Sequence, residues 1–595
     1  MIKWIKDTWI FYIISIFYKM NKWLLIVTVL LNVFLALIPM IQMVALAHLI
    51  DSVIKMQKDG YVLSMALIPI IVIMILLIIK NFSNQINNLI KVSFINCLRL
   101  KYTVVLSEKK AKLEYKHLEN PKSLDLITRV MDLPEEKLYD CLFNLVGTIS
   151  LFITIISLAS TIIYYMWYIG LLLIIVTIPL MILAVKGGHA TYEANKIATK
   201  YRRKYQYYEE VLTSRETSLE RTLFAYGKKL NEMWKENYEI ARKINFKTMS
   251  KWIIKSSAYG VISTLVLAII IACLIYISAK KIITIGIFIA LVNAIYQLNG
   301  NMTYELSWKM ESLVKSKEYI NELRTFLLKT ELKAAISRPT IPAVNFESLQ
   351  FKNVWFKYPG VDTYILKGTS FMLEKGKHYS FVGVNGAGKS TIVKLIIGLY
   401  SDYKGEILLN GKPISEFSQS ELKSICATAF QDFTRYFINV YDNIRIGNIN
   451  KINDESEIQK GINILNLNDL INDLPQGLQS NLGKLFESGV DLSGGQWQKL
   501  ALARFYVNPG TLKILDEPTA ALDPISESNI YKDFELLSKN KTAIFISHRL
   551  GATKLADTIL VLHDGVIVEK GNHSDLVEKN GVYAEMFESQ RMWYL

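Results

Sequence analysis

The chain has 595 residues, 51% hydrophobic and only 20% charged, with a formal net charge of +15 and a mean hydropathy of +0.24. That length exceeds one module of roughly 100–200 residues, and the apolar balance excludes a wholly soluble or disordered chain. The basic excess admits a nucleic-acid partner or a membrane surface, and its distribution along the chain decides between them.

Residues 1–20 set Trp4, Ile5, Trp9, Ile10, Ile13, Ile14 and Phe17 among Lys3, Lys6, Asp7 and Lys19. This fits either a helix lying in a membrane interface or the first turns of the next helix. The segment has no small-residue cleavage site, so it reads as retained rather than as a signal peptide. Six apolar runs come after it, at about 22–49, 61–82, 141–164, 167–187, 252–279 and 283–305, each near the ~20 residues that cross a bilayer. The connections at 51–60, 165–166 and 280–282 carry few cations, whereas 83–140 and 188–251 are rich in them, with Lys91, Arg99, Lys101, Lys109 and Lys110 among the first set. The positive-inside rule therefore puts both long segments and both termini in the cytoplasm. Positive-inside bias and anionic lipid account for the net charge, and no nucleic-acid partner is expected.

The two long segments exceed ordinary connections. They read as membrane helices that continue into the cytoplasm, turn near 117–126 and 212–224, and return, with plain surface loops as the alternative. Residues 1–320 are thus assigned to a transmembrane domain. From about 307 the chain turns polar, and Pro339 and Pro342 mark 321–345 as a linker. Beyond it, short β-like runs alternate with amphipathic helices and Gly-rich turns, so 346–595 reads as an α/β domain. The four cysteines, Cys97, Cys141, Cys273 and Cys426, have neither paired nor metal-ligand spacing and are expected to be reduced structural thiols.

Within the α/β domain, an apolar strand starting at His378 runs into Gly383, Asn385, Gly386, Ala387, Gly388, Lys389, Ser390 and Thr391, a G-x-x-x-x-G-K-S loop that opens a helix. Its glycines let backbone N–H groups approach phosphates, and the helix N-terminus adds positive potential. Lys389 reaches the β and γ phosphates and the Ser390 hydroxyl ligates Mg²⁺. ATP and Mg²⁺ are thus the expected cofactors. The run Leu512–Leu515 ends on Asp516 and Glu517. Asp516 completes the metal shell and Glu517 is the general base for the attacking water, with capping of the next helix as the alternative. Lys513 is out of keeping in an otherwise apolar strand and is assigned to a sheet edge.

Leu492, Ser493, Gly494, Gly495 and Gln496 match the signature motif of ATP-binding cassette (ABC) proteins. With the P-loop and the Asp516–Glu517 pair, the chain resembles an ABC transporter of the exporter type over essentially its whole length. The resemblance implies a membrane α-helical domain, six transmembrane helices with long cytoplasmic extensions, followed by one α/β P-loop nucleotide-binding domain. It implies that Tyr358 stacks on adenine and that Gln431 joins Mg²⁺ and water sensing to the membrane domain. It implies too that Asp523 belongs to the D-loop, that His548 contacts the γ-phosphate, and that Glu487 lies in the element that meets the coupling helices. In the family, ATP is sandwiched between the P-loop of one nucleotide domain and the signature of another, which makes this chain a half-transporter. With no motif degenerate, a homodimer with two competent sites is expected, and a heterodimer is the alternative.

For the cargo, Asn293, Gln297 and Asn301 fall at i, i+4 and i+8 of the sixth run, on one helical face. They either line a substrate cavity or bond to a neighbouring helix. Asn144, Thr148, Thr154 and Ser157 in the third run are secondary candidates. No Asp, Glu, Lys or Arg sits centrally in a run, which favours coupling to ATP alone over an ion-coupled carrier. The chain is similar to bacterial exporters of modified peptides such as lanthipeptides. The resemblance therefore implies ATP-driven export of an amphipathic, peptide-like substrate across the bacterial plasma membrane. Multidrug or lipid export, a membrane-tethered ATPase sensor and an ATP-gated channel are the alternatives. No peptidase-like extension precedes the first run, so any leader cleavage is expected to happen elsewhere.

Overall fold

The computed structural model describes residues 8–59, 64–215, 217–451, 455–484, 487–516, 541–546 and 550–592. The chain forms two compact units, one of Met1–Ser107 with Asp125–Leu328 and one of Glu108–Leu124 with Lys329–Leu595.

The first unit is built of long helices: Trp9–Asp59, Ser64–Leu98, Pro134–Tyr165, Trp167–Thr213, Gly227–Ala279, Ile285–Gly300 and Leu306–Leu327. Among the described residues, five stretches, Trp9–Gln57, Ala66–Lys112, Pro134–Tyr165, Gly227–Ala279 and Ile285–Leu327, are long and apolar enough to cross a membrane. The expected run 167–187 opens the helix Trp167–Thr213, but most of its side chains, like residues 61–63 of the second run, lie outside the described residues. The first helix breaks at Asn21 (φ −157°, ψ 95°), whose Oδ1 accepts from the Leu24 N–H at 3.1 Å and caps the helical stretch beyond the break. Residues 9–20 are therefore a helical segment of their own and not the first turns of the next. The sixth run is α-helical from Ile285 to Gly300 and π-helical over Asn301–Glu305 before the α-helix resumes at Leu306. Leu158, Ile162, Leu274, Ala290, Ile295 and Leu298 belong to the buried core of this unit, while Leu30, Ile68, Ile78 and Ile269 stand exposed, as side chains facing lipid tails can.

The second unit contains ten described strands: β1 (Ser348–Phe356), β2 (Leu366–Glu374), β3 (His378–Val382), β4 (Lys404–Leu409), β5 (Lys412–Pro413), β6 (Cys426–Ala429), β7 (Leu512–Asp516), β8 (Thr542–Ile546), β9 (Thr558–His563) and β10 (Val566–Gly571). β2–β1–β4–β5 make an antiparallel sheet, and β10–β9–β3–β8–β7–β6 make a second sheet that is parallel except for the β9–β10 hairpin. β7 and β8 are buried at every residue, which is why they read as continuous apolar runs.

Lys513 is a correction. β7 lies between β6 and β8, and Lys513 is only 4% exposed, so it is not at an edge. Its stem stays in the apolar layer while Nζ donates to the carbonyls of Asn508 (2.6 Å) and Phe505 (3.5 Å). These sit at the C-terminus of the helix Gly494–Val507, where carbonyls lack intrahelical donors and a cation is favoured. Burial pushes the Lys513 amine down to about 7.

Residues 108–124 contribute a short helix, Tyr115–Glu119, to this same unit. Tyr115 meets the ring of Tyr400 edge-on at 5.7 Å. The Tyr400 hydroxyl donates to the Glu119 carboxylate, and Lys116 pairs with Asp402 at 3.0 Å. Burial and the neighbouring Glu119 push the Tyr400 phenol up.

Candidate functional site

The P-loop leaves the carboxyl end of β3, between β8 and β9, and enters the helix Lys389–Ile396. This is where parallel sheets place their ligands. A side chain on Gly383 would collide with the Leu562 carbonyl, and one on Gly388 would stand 2.8 Å from Leu366 Cδ2 at a φ of +107°. Only glycine fits there, and the loop's N–H groups can turn inward as an anion nest. Asn385 and Gly386 are exposed and Ala387 is buried at the loop's apex and base. Lys389, 5% exposed, donates from Nζ to the Gly383 carbonyl at 2.7 Å and the Val384 carbonyl at 3.1 Å, folded over the same nest.

β7 delivers Asp516 to the same end of the sheet. The Ser390 hydroxyl donates to Asp516 Oδ1 at 3.1 Å, so two hard oxygen donors stand side by side, the kind of set that Mg²⁺ takes. Gln431 follows β6 by two residues. Since Ala429 pairs with Leu515 in parallel register, it leaves the sheet at the Asp516 end, with its side chain exposed. β8 ends at Ile546, paired with Asp516. Glu517, Asp523 and His548, which come next along these strands or beyond, lie outside the described residues.

Tyr358 is half-buried, and its hydroxyl shares a 2.9 Å hydrogen bond with Thr391. Lys394, one helical turn on from Thr391, places Nζ 5.0 Å from the centre of the Tyr358 ring, and Tyr400 meets that ring edge-on at 5.7 Å. Sequence reasoning missed Lys394 and Tyr400. The i, i+3 spacing of Thr391 and Lys394 was the signal available for one of them.

The signature residues open the helix Gly494–Val507. Ser493 caps it, accepting from the Gln496 N–H at 3.3 Å while its own N–H donates to Gln496 Oε1 at 2.8 Å, a closed capping box. Leu492 and Trp497 are buried and anchor the turn; Ser493 and Gly494 are exposed, Gly495 and Gln496 half-buried, and nothing stands within 4 Å of where a Gly494 side chain would be. Glu487 is exposed in the turn before the motif.

In the first unit, Asn293 is exposed and Gln297 and Asn301 are half-buried, and none of the three borders the large cavity of that unit, about 1040 Å³. The π-helical turn beginning at Asn301 ends the i, i+4 face there. Asn144 does border the cavity. The hydroxyls of Thr148, Thr154 and Ser157 bond backbone carbonyls, Thr154 reaching across to Ala36 at 3.0 Å, so they join helices or close on their own turns.

An ABC transporter family model matches residues 366–520. The chain is 30% identical over 564 residues to the subtilin transport ATP-binding protein SpaT of Bacillus subtilis, covering 94% of this chain and 90% of that protein. It is 27% identical over 592 residues to the nisin transport ATP-binding protein NisT of Lactococcus lactis, covering 97% and 95%. To the ATP-dependent lipid A-core flippase of Escherichia coli it is 38% identical over 262 residues, 44% of this chain and 43% of that one. The structure of a bacterial Atm1-family ABC exporter with ATP bound shares its fold, with a TM-score of 0.76 over 95% of this chain and 99% of that chain at 24% identity. A P-loop beside a carboxylate, a capped signature helix and membrane-length helices on one chain agree with that likeness along almost its full length: the chain belongs to the ABC transporter family, as an exporter-type half-transporter that binds ATP and couples its hydrolysis to transport.

Proposed function

We propose that two identical copies of this chain export an amphipathic, peptide-like substrate out of the bacterial cytoplasm, with ATP held at two composite sites. The observation that carries the reading is that the chain holds a complete P-loop, with Ser390 at 3.1 Å from Asp516, and an exposed signature turn at Ser493 and Gly494 on a separate helix. Each copy can offer the second to the first of its partner, because an exposed helix N-terminus accepts a phosphate. Peptide cargo is supported by likeness to the subtilin and nisin transport proteins over nearly the whole chain, against 44% of it for the lipid flippase.

In this reading Lys389 releases its two carbonyls to reach phosphate oxygens, and Tyr358 offers a ring face to the adenine. Ser390, Asp516 and Gln431 would hold Mg²⁺, which would supply positive charge against the phosphates. Glu517 takes the proton of the attacking water, His548 contacts the γ-phosphate, and Asp523 belongs to the D-loop. Nucleotide domains and both termini face the cytoplasm, as the cation-rich segments 83–140 and 188–251 support.

The test uses the full chain in lipid vesicles, wild type beside Glu517→Gln, with Mg-ATPase activity and ATP-dependent uptake read for a set of amphipathic peptides, a labelled lipid and a dye. Peptide-stimulated hydrolysis and peptide uptake, both lost in the variant, are the expected result. Hydrolysis surviving in the variant refutes the role of Glu517, and uptake of lipid or dye with none of any peptide refutes peptide export.

A further inference from the structure

The cavity of about 1040 Å³ in the first unit lies among the helices Trp9–Asp59, Ser64–Leu98, Pro134–Tyr165, Trp167–Thr213 and Leu306–Leu327. Its size is at the upper end of the roughly 300–1,000 Å³ of small-ligand sites. Two features of its wall go together.

The first is a set of carboxamides. Asn84, Asn87 and Asn88 line the cavity with Lys91, at i, i+3, i+4 and i+7 on one face of Ser64–Leu98, and Asn144 and Asn195 join them from two other helices. Asn87 is 3.5 Å from Asn32 and Asn144 is 3.4 Å from the Ser316 hydroxyl. The side chains of Asn84, Asn88 and Asn195 have no hydrogen-bond partner among the described residues.

The second is charge. Among the described residues, seven Lys and Arg side chains border the cavity against three acids, Asp132, Asp140 and Glu322. Two of the acids are already neutralised, Glu322 by Arg129 at 2.7 Å and Asp132 by Lys137 at 2.7 Å. Arg203 and Lys315 are held by Asp125 and Glu311 outside the wall, at 2.6 and 2.7 Å. Lys91 and Arg202 have no carboxylate within ion-pair distance among the described residues; the third acid of the wall, Asp140, acts on Lys91 only from beyond that distance, and Lys91 lies 5.8 Å from the Tyr139 ring.

We infer that this cavity binds an extended, acidic stretch of polypeptide, the asparagines pairing with its backbone and Lys91 and Arg202 with its carboxylates. The inference rests on the peptide-export reading and names the place and chemistry of recognition within it. A carboxamide donates and accepts at once, as a peptide group does, so a row of them serves a backbone whatever its sequence. Asn84, Asn88, Lys91 and Arg202 are exposed and so open to an incoming ligand; the phosphate of an anionic lipid headgroup accepts only and matches the N–H side of each carboxamide, whereas a peptide group matches both sides.

The test is fluorescence anisotropy on the full-length dimer in neutral-lipid nanodiscs, with two labelled heptapeptides, one rich in Glu and one with Gln in place of every Glu. ATP binding by each preparation reports its fold. Lys91→Gln combined with Arg202→Gln should weaken the acidic probe about tenfold or more and leave the neutral probe unchanged. Asn84→Leu combined with Asn88→Leu should weaken both. Unchanged binding of the acidic probe by the cation variant overturns the site, and so does displacement of either probe by glycerophosphoglycerol, which would mark a lipid-headgroup pocket. Asn88→Cys that adds no maleimide labelling to the dimer, with or without peptide, means a second copy fills the cavity and also overturns it. Peptide uptake with unchanged KM in both double variants overturns this site while peptide export stands; failure of the wild type to take up any peptide refutes export itself.

Discussion

Lys513→Met in β7 should change the sign of its effect with pH. The folded amine titrates at about 7, against 10.5 for an ordinary lysine, because burial disfavours its charge. At ~1.4 kcal/mol per pH unit, holding that charge buried below pH 7 costs on the order of 5 kcal/mol. The folded state binds fewer protons than the unfolded one between pH 7 and 10.5, so stability is lowest below pH 7 and rises as pH climbs through that window. Methionine fills similar space with no charge, but it leaves the Asn508 and Phe505 carbonyls without their donor, a loss of about 1–2 kcal/mol at every pH. The variant should therefore be more stable than wild type by a few kcal/mol at pH 6, and less stable by about 1 kcal/mol near pH 10. At roughly 2–4 °C per kcal/mol for a domain of this size, calorimetry of the full chain across that range resolves both ends and the crossing between them. A difference between variant and wild type that keeps one sign and size from pH 6 to 10 would refute the account of Lys513 as a buried, largely neutral amine.

Two further substitutions address the nucleotide site. Gly388→Ala meets Leu366 Cδ2 at 2.8 Å in a left-handed backbone of φ +107°, so the loop must distort by about 1–3 kcal/mol; ATP affinity should fall at least about tenfold, and wild-type affinity in a nucleotide-binding titration would refute the cradle. Ser493→Ala removes the acceptor for the Gln496 N–H, costing about 1 kcal/mol of helix stability; steady-state hydrolysis should drop while ATP still binds the P-loop, and full hydrolysis would show that the signature hydroxyl does not act.

The phosphate loop is legible from sequence because its chemistry leaves little choice: glycines where a side chain would strike Leu562 or Leu366, and Lys389 and Ser390 at the head of a helix. Other features depend on neighbours that are distant in sequence. Lys513 looks like an edge residue until β6 and β8, one upstream and one downstream, are found on its two sides. The stripe Asn84, Asn87, Asn88 and Lys91 has helical spacing that is visible in the sequence, yet its polarity ends the apolar run at 82 and so it reads as connection. Asn293, Gln297 and Asn301 stand out by the same periodicity, but periodicity does not announce the π-helical turn over Asn301–Glu305, whose wider turn shifts the face of the residues beyond Asn301. Tyr400 meets Tyr115 and Glu119 across nearly the whole span between the first unit's second helix and β4, with no local pattern to announce it.

The short helix Tyr115–Glu119 carries a lesson for anyone recombining transporters. Its residues belong to one compact unit with Lys329–Leu595 although some 200 residues of chain separate the two pieces. A chimera that exchanges only a contiguous C-terminal block would set a foreign surface against Tyr115, Lys116 and Glu119, breaking the Tyr400 and Asp402 contacts. The heritable module here is a split one, and drift in either piece is answerable to the other.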